Sequence, residues 1–173
     1  MSQLRDKENG CEWDKEQTFQ SIAPHTIEEA YEVVDAINRS NITDLEEELG
    51  DLLLQVVFLS QIASEDNLFN FNDVVQTITR KLIRRHPYVF SEKRDHSSEE
   101  QMDQWEEIKQ EERELKKQSG ILDGIAQNLP ALKRSQKIQK RAAKVGFDWP
   151  DTKGVFKKIK EEIRELEEAI ESK

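Results

Sequence analysis

Apolar residues recur every three or four positions along the first half of the chain, the spacing of one face of an α-helix. The first stripe consists of Ile27, Ala30, Tyr31, Val34 and Ile37. Thr26 and Glu29 have the spacing of a capping box, which predicts a helix beginning at Thr26. Residues 38–42 predict a short turn. The pattern therefore indicates a first helix that ends at this turn.

A second apolar helix is predicted directly after the turn. Thr43 and Glu46 have the spacing of another capping box. The helix that follows is apolar on nearly every side from Leu52 onward. A helix that is apolar all round is typical of a buried position, so we expect it at the centre of the fold.

Four further helices are predicted from periodicity and from breaker residues. They cover approximately residues 72–86, 98–118, 131–145 and 152–172, and residues 91–98 predict a loop. Glycine and proline are few, six and four, which favours long helices over a β-rich fold. The predicted fold class is all-α, a helical bundle.

Composition supports this class and excludes several functions. Charged residues make up 36% of the chain and aromatic residues 7%, which suits helices that bury one stripe each. A net charge of −10 argues against nucleic acid as a partner. Residues 52–63, the longest apolar stretch, are too few to cross a bilayer. The charged first ten residues do not form a signal peptide, and the single cysteine excludes an internal disulfide, so a cytoplasmic protein is expected.

Acidic residues gather on the first two predicted helices. On the first they lie opposite the apolar stripe: Glu28, Glu29, Glu32 and Asp35. Alone, such a set is typical of a solvated face. On the second helix Glu48, Asp51 and Gln55 share one line at the head of an apolar helix, where buried carboxylates need a partner or a metal ion. Gly50 lies among them and indicates close approach of another backbone, since glycine costs about 1 kcal/mol in a helix interior.

Two acid pairs on helices joined by a tight turn can converge on one point. Glu29 with Glu32 would then face Glu48 with Asp51. Four carboxylates without imidazole or thiolate form a hard oxygen site, which favours Mg²⁺, or Mn²⁺, over zinc. Mg²⁺ commonly takes substrate phosphates as additional ligands.

Two segments resemble the EExxE…ExxD signature of the MazG and all-α nucleotide pyrophosphohydrolase superfamily: EEAYE at residues 28–32 and ELGD at residues 48–51. Residues 9–18, 81–90 and 105–109 resemble the family segments that flank this signature, in the same order. EExxE alone is a weak signal, whereas the ordered set is specific. The family has a proline where this chain has Glu12, a departure that leaves the carboxylates unchanged.

The resemblance implies a MazG-like helical bundle completed by dimerisation, with residues 1–118 as its domain. It also implies magnesium-dependent hydrolysis of nucleoside triphosphates to monophosphate and pyrophosphate, a house-cleaning activity on the nucleotide pool. The implied metal ligands are Glu29, Glu32, Glu48 and Asp51. Glu28 and Glu47 are the catalytic candidates, because one of them could orient or deprotonate the attacking water.

Cationic and aromatic residues supply the candidates for substrate binding: Lys81, Arg84, Arg85, Trp105, Lys109 and Trp13. The first three lie on one helical face. They would suit an ordinary basic last turn of a helix, but the resemblance favours phosphate contacts. Trp105 fits an apolar stripe or a nucleotide contact, and the resemblance favours the contact.

The EExxE pattern recurs near the C-terminus, in KIKEEIRE at residues 158–165. It resembles the start of a second MazG domain, the alternative being a generic charged helix. The first copy places its ExxD pair sixteen residues after Glu32, and the same distance from Glu165 runs past Lys173. We therefore expect residues 119–130 to be a linker and residues 131–173 to be a helical extension with a truncated second domain.

A rival function comes from another class. A non-catalytic helical module could dimerise and bind a nucleotide or a partner protein through a degenerate metal site. The presence of every acid of the signature favours the enzyme. No Walker loop is present, which argues against a P-loop NTPase.

Overall fold

The computed structural model describes residues 1–90, 97–115 and 120–172, which contain helices and no strand. The helices are α1 (Glu12–Glu16), α2 (Phe19–Asn38), α3 (Ile42–Glu65), α4 (Phe71–Arg85), α5 (Pro87–Phe90), α6 (Ser98–Leu115), α7 (Ala131–Ala143) and α8 (Thr152–Glu171). The predicted all-α class is confirmed. The chain divides into two units, Met1–His96 and Ser97–Lys173.

The N-terminal end of α2 differs from the prediction. Thr18 caps the helix, because its side chain accepts a hydrogen bond from the Ser21 backbone N–H and its own N–H donates to the Ser21 hydroxyl. Thr26 lies inside α2 and donates to the carbonyl of Ile22. The predicted start at Thr26 is wrong, since an earlier capping box of the Thr-x-x-Ser type already satisfies the first turn.

The turn between α2 and α3 is closed by polar contacts. The Asn41 side chain accepts from the Asp44 backbone N–H, so Asn41, and not Thr43, is the cap of α3. Arg39 donates to Asp35 at 2.7 Å and to Asp44 at 2.8 Å. These bonds tie the end of one helix to the start of the next and fix the hairpin that carries the acids.

The core of the first unit lies between α2 and α3. Ile22, Phe58 and Ile62 form its buried cluster. The apolar stripe predicted for α2 does not face this core, because its larger members are about half exposed: Ile27 50%, Tyr31 56%, Val34 51% and Ile37 54%. The face of α2 that packs on α3 instead carries Ala36, which is fully buried, and Glu29, which is partly buried.

The prediction of a helix buried on every side is also wrong for α3 in a single chain. Leu53, Leu54 and Val56 are exposed, whereas Gln55 and Phe58 are buried. One side of α3 therefore meets the core and the other presents apolar surface.

The remaining helices follow the predictions closely. α4, α6, α7 and α8 begin within one residue of the predicted positions. The end of the fourth predicted helix, after residue 115, and most of the predicted loop at 91–98 lie outside the described residues. The short helices α1 and α5 were not predicted, because five and four residues are too few for a periodic signal. No helix among the described residues is long and apolar enough to cross a membrane.

Within the second unit, a turn-rich segment precedes α7. Arg141 of α7 donates through its Nη1 atom to the backbone carbonyls of Ile121 and Asp123. Gly124 has φ of 74°, a left-handed conformation that glycine adopts without strain. The Arg141 guanidinium therefore binds the backbone of two residues of the predicted linker to α7.

Candidate metal and nucleotide site

Three carboxylates from α2 and α3 meet on the packed side of the hairpin. Glu29, Glu48 and Asp51 each place one oxygen within 4.8 Å of the others. Glu29 comes from α2, while the other two lie one turn apart on α3. The structure therefore brings together three of the four predicted ligands, and their role as ligands stays a prediction.

The electrostatics of this cluster are those of uncompensated negative charge. Burial raises the pKa of Glu29, and a side-chain hydrogen bond with Glu32 and the charge of Asp51 raise it further. Burial also raises the pKa of Glu48, followed by the charges of Glu32 and Asp51. The fourth predicted ligand, Glu32, thus acts on the same cluster. Among the described residues, no basic side chain forms an ion pair with Glu29, Glu48 or Asp51.

Gln55 adds a neutral group to the acidic line of α3. Its side chain is buried, and its Nε2 donates to Oε1 of Glu29 at 3.4 Å. Its Oε1 is also buried and has no hydrogen-bond partner among the described residues. The sequence placed Gln55 in line with the acids but gave it no role. The available signal was an amide in the middle of an apolar run, which is costly unless it is hydrogen-bonded.

Trp13 contacts both helices of the hairpin that carries the carboxylates. Its ring makes edge contacts with His25, with centroids 6.2 Å apart, and with Phe58, with centroids 6.4 Å apart. His25 and Phe58 lie about one turn along their helices from Glu29 and Gln55. Trp13 itself is about half exposed, so part of it remains accessible to solvent.

A buried arginine holds the Trp13 segment in place. Arg5 donates to the backbone carbonyl of Asp14 within α1 and to that of Gln17, the residue after α1. It also pairs with Glu65 of α3 at 2.7 Å. Its guanidinium also lies 5.5 Å from the centre of the Phe58 ring. The hydrogen bond from Arg5 lowers the pKa of Glu65, whereas the pKa values of Glu29 and Glu48 are raised.

The two catalytic candidates are exposed acids beside the cluster. Oε2 of Glu28 lies 3.6 Å from Nδ1 of His25. Glu47 contributes to the raised pKa of its neighbour Glu48. The prediction that Gly50 marks a close backbone approach is wrong, because a Cβ added there would meet open space.

The predicted substrate contacts divide between the two units. Lys81, Arg84 and Arg85 lie on α4, which packs against α3 in the first unit. Trp105 and Lys109 lie on α6 in the second unit, where the Lys109 Nζ is 4.3 Å from the Trp105 ring centre. Trp13 belongs to the first unit and is the one aromatic candidate that the described contacts place near the carboxylates.

The donor set of the cluster fits a metal ion. Its groups are carboxylates alone, with no histidine or cysteine among them, which is the chemistry of a hard divalent cation. Burial and mutual repulsion together raise the pKa values of Glu29 and Glu48, and a bound cation would remove the repulsion.

Comparisons with known proteins identify relatives of the chain. Residues 17–90 match the model of the MazG nucleotide pyrophosphohydrolase domain. The chain is 56% identical over 166 residues to a nucleoside triphosphate pyrophosphohydrolase of Escherichia coli, covering 96% of this chain and 63% of that protein. It is 49% identical over 169 residues to the nucleoside triphosphate pyrophosphohydrolase/pyrophosphatase MazG of Thermotoga maritima, covering 98% and 64%.

A solved structure shares the fold. The crystal structure of a mazG-related protein from Thermotoga maritima superimposes with a TM-score of 0.53 at 25% identity, covering 62% of this chain and 93% of that one. The chain spans less than two thirds of the length of the two curated relatives. The family match at residues 17–90 contains the carboxylate cluster, Gln55 and the cations of α4. The chain belongs to the MazG family.

Proposed function

We propose that this protein hydrolyses nucleoside triphosphates to nucleoside monophosphate and pyrophosphate with Mg²⁺ held by Glu29, Glu32, Glu48 and Asp51. The observation that supports this most is the convergence of Glu29, Glu48 and Asp51 without a described cationic partner. The names of the relatives from Escherichia coli and Thermotoga maritima point to the same reaction. A broad choice of bases would make the activity a house-cleaning one.

The proposed reaction consumes water, so the site needs a group that accepts a proton. NTP and H₂O give NMP and pyrophosphate: the water oxygen bonds to phosphorus and loses a proton, and the anhydride linkage between the α- and β-phosphates breaks. Glu28 and Glu47 are the candidates for this acceptor, since both are exposed acids beside the cluster. A bound divalent cation supplies charge neutralisation and polarises the phosphates.

Other groups of the first unit would bind and orient the substrate. Lys81, Arg84 and Arg85 add positive charge on α4, which suits phosphates that the metal does not contact. Trp13 is about half exposed, and its aromatic ring suits a stacked base. Gln55 would hold the Glu29 carboxylate in one orientation through its Nε2 atom.

The test is direct detection of products. The full chain is incubated with Mg²⁺ and a panel of canonical, deoxy and modified nucleoside triphosphates, and phosphorus NMR distinguishes pyrophosphate from orthophosphate. We expect pyrophosphate and NMP in equal amounts from at least one nucleotide. Orthophosphate with NDP would contradict the proposal. Metal binding without turnover of any nucleotide would favour the non-catalytic module.

We also propose that the chain forms a homodimer through the exposed apolar faces of α2 and α3. The stripe of Ile27, Tyr31, Val34 and Ile37 is about half exposed, and Leu53 of α3 is 55% exposed. Contiguous apolar surface of this kind marks an interaction site. Light scattering at micromolar concentration should give the mass of two chains. Val34→Glu should give monomers, whereas Thr43→Glu, which adds the same charge elsewhere on the hairpin, should not. A monomeric wild type with full helicity would contradict this proposal.

A further inference from the structure

The second unit contains a cavity lined by positive charge. Its volume is about 470 Å³, and its lining side chains include five cations: Lys109, Lys137, Lys140, Arg141 and Lys144. The other lining residues, Gly124 and Ile125, carry no charge. None of the described lining residues is acidic, whereas the whole chain has a net charge of −10.

Four of these cations belong to one face of α7 and its last turn. Lys137, Lys140, Arg141 and Lys144 have the spacing i, i+3, i+4 and i+7, so they project from the same side. Residues 131–145 contain no aspartate or glutamate that could offset them within the helix. Like charges three or four residues apart, such as Lys137 with Lys140 and Arg141, repel one another, and a bound anion would reduce that repulsion.

Two of the cations are held in position before any ligand arrives. The Arg141 guanidinium is fixed by its bonds to the carbonyls of Ile121 and Asp123. The Lys109 ammonium lies over the ring of Trp105. A side chain that is already ordered loses less conformational entropy on binding. The cavity thus combines two fixed cations with the exposed side chains of Lys137 and Lys140.

We propose that this cavity binds a polyphosphate anion, either inorganic pyrophosphate or the phosphate chain of a nucleotide, without a divalent cation. Lysine and arginine are the residues that bind phosphate oxygens, and several of them match a ligand with several negative charges. The volume falls within the range of small-molecule sites, roughly 300–1,000 Å³. A concave cavity in an acidic protein suits a small anion better than a nucleic acid, which needs an extended basic surface. The cavity includes Lys109, one of the predicted substrate contacts, but it requires no carboxylate and no hydrolysis, so its test does not depend on the proposed catalytic activity.

The experiment measures binding of inorganic pyrophosphate to the full chain by calorimetry, in metal-free buffer of low ionic strength. We expect saturable binding of one pyrophosphate per chain. Lys137→Gln with Lys140→Gln should weaken it about tenfold or more, since each change removes a charge-assisted contact. Lys157→Gln with Lys160→Gln on α8 is the matched control, because it changes net charge equally outside the cavity and should leave binding unchanged. Glu48→Gln with Asp51→Asn should also leave it unchanged, which separates this site from the carboxylate cluster.

Further arms identify the source of the phosphates and the results that overturn the proposal. Tighter binding of ATP than of tripolyphosphate would identify a nucleotide as the ligand, and equal binding would identify the phosphate chain alone. Equal losses in the α7 and α8 variants would show non-specific charge attraction and overturn the proposal. Unchanged binding in the α7 variant, or no binding by wild type, would overturn it as well. Displacement of pyrophosphate by a single-stranded RNA at much lower concentration would assign the basic face to nucleic acid instead.

Discussion

The same five-residue pattern has opposite electrostatics at its two places in this chain. In α2, EEAYE presents Glu29 to the acids of α3, and burial and neighbouring carboxylates raise its pKa. In α8, EEIRE lies beside Lys158, whose Nζ is 2.8 Å from Glu161 and 3.1 Å from Glu162. The Lys158 hydrogen bond lowers the pKa of Glu161, and both acids raise the pKa of Lys158.

The difference shows what turns an acidic helix into a metal site. α2 has a second acidic helix packed against it, and no described cation pairs with the cluster. α8 has no buried residue and provides its own cation one turn away. The EExxE spacing therefore specifies which acids share a face, while the partner helix decides whether those acids need a metal ion.

Removal of the α3 acids should produce the largest effect. Glu48→Gln with Asp51→Asn should reduce turnover by more than about 100-fold. Loss of a residue that only hydrogen-bonds to a metal ligand already costs roughly 10–100-fold, and these two acids are proposed as ligands themselves. Steady-state pyrophosphate release checks this. Glu161→Gln with Glu162→Gln, the same charge change on α8, should keep full activity. Equal losses from both pairs would show that the two copies do not differ as described.

Replacement of Gln55 should weaken the metal site without unfolding it. Gln55→Leu removes the donor to Glu29 and should lower affinity for Mn²⁺ about tenfold. Stability should be retained, because the buried Oε1 has no described partner and leucine has a similar volume. Electron paramagnetic resonance of Mn²⁺ titrations measures the affinity. Gln61→Leu, which removes a bond to Glu65 on the same helix, should bind metal as wild type does. Wild-type affinity in Gln55→Leu would contradict a positioning role.

The pH dependence of stability should differ in sign between the acids of the carboxylate cluster and those of the EExxE segment in α8. The pKa values of Glu29 and Glu48 are raised above 4.5, so their contribution is full below that pH and is lost as pH rises through the folded pKa. Without metal, Glu48→Gln should therefore gain stability relative to wild type above pH 4.5. Glu161 has a lowered pKa, so Glu161→Gln should lose stability relative to wild type in the same range. Thermal melts from pH 4 to 8 test both signs, and a pH-independent difference for either variant would contradict its assignment.

The smallest effect is expected from removing the cation of α8. Lys158→Met leaves Glu161 and Glu162 without their partner, yet no ExxD pair follows on an adjacent described helix. We expect a slight loss of helicity by circular dichroism and no new stabilisation by Mg²⁺. A variant that bound a second Mg²⁺ would show that one acidic helix is sufficient.

The sequence predicted the acids and their helices, because helical periodicity and i, i+3 spacing are local properties. It did not predict which face of α2 meets α3. Apolar content favoured the stripe of Ile27 and Tyr31, whereas the structure buries Ala36 and partly buries Glu29. A small residue allows close packing of two helices, and the larger residues of the stripe then remain exposed.

Two details of the site could not be read from the chain. Thr26 with Glu29 fits the usual capping-box pattern, whereas the actual cap at Thr18 uses Ser21 in place of a Glu or Gln, so the local pattern favoured the wrong residue. The bond from Gln55 to Glu29 joins positions 26 residues apart, so it depends on the angle and register of the hairpin.

Thermal melts of wild type and of Glu48→Gln with Asp51→Asn, in metal-free buffer and then with Mg²⁺, test the central claim most directly. Wild type should gain stability from Mg²⁺, by about 2.7 kcal/mol at 100 times the dissociation constant. The double variant should melt at or above wild type without metal and gain nothing from Mg²⁺. A variant that melts far below wild type without metal, yet keeps the Mg²⁺ shift, would show that these acids support the fold and do not hold the ion.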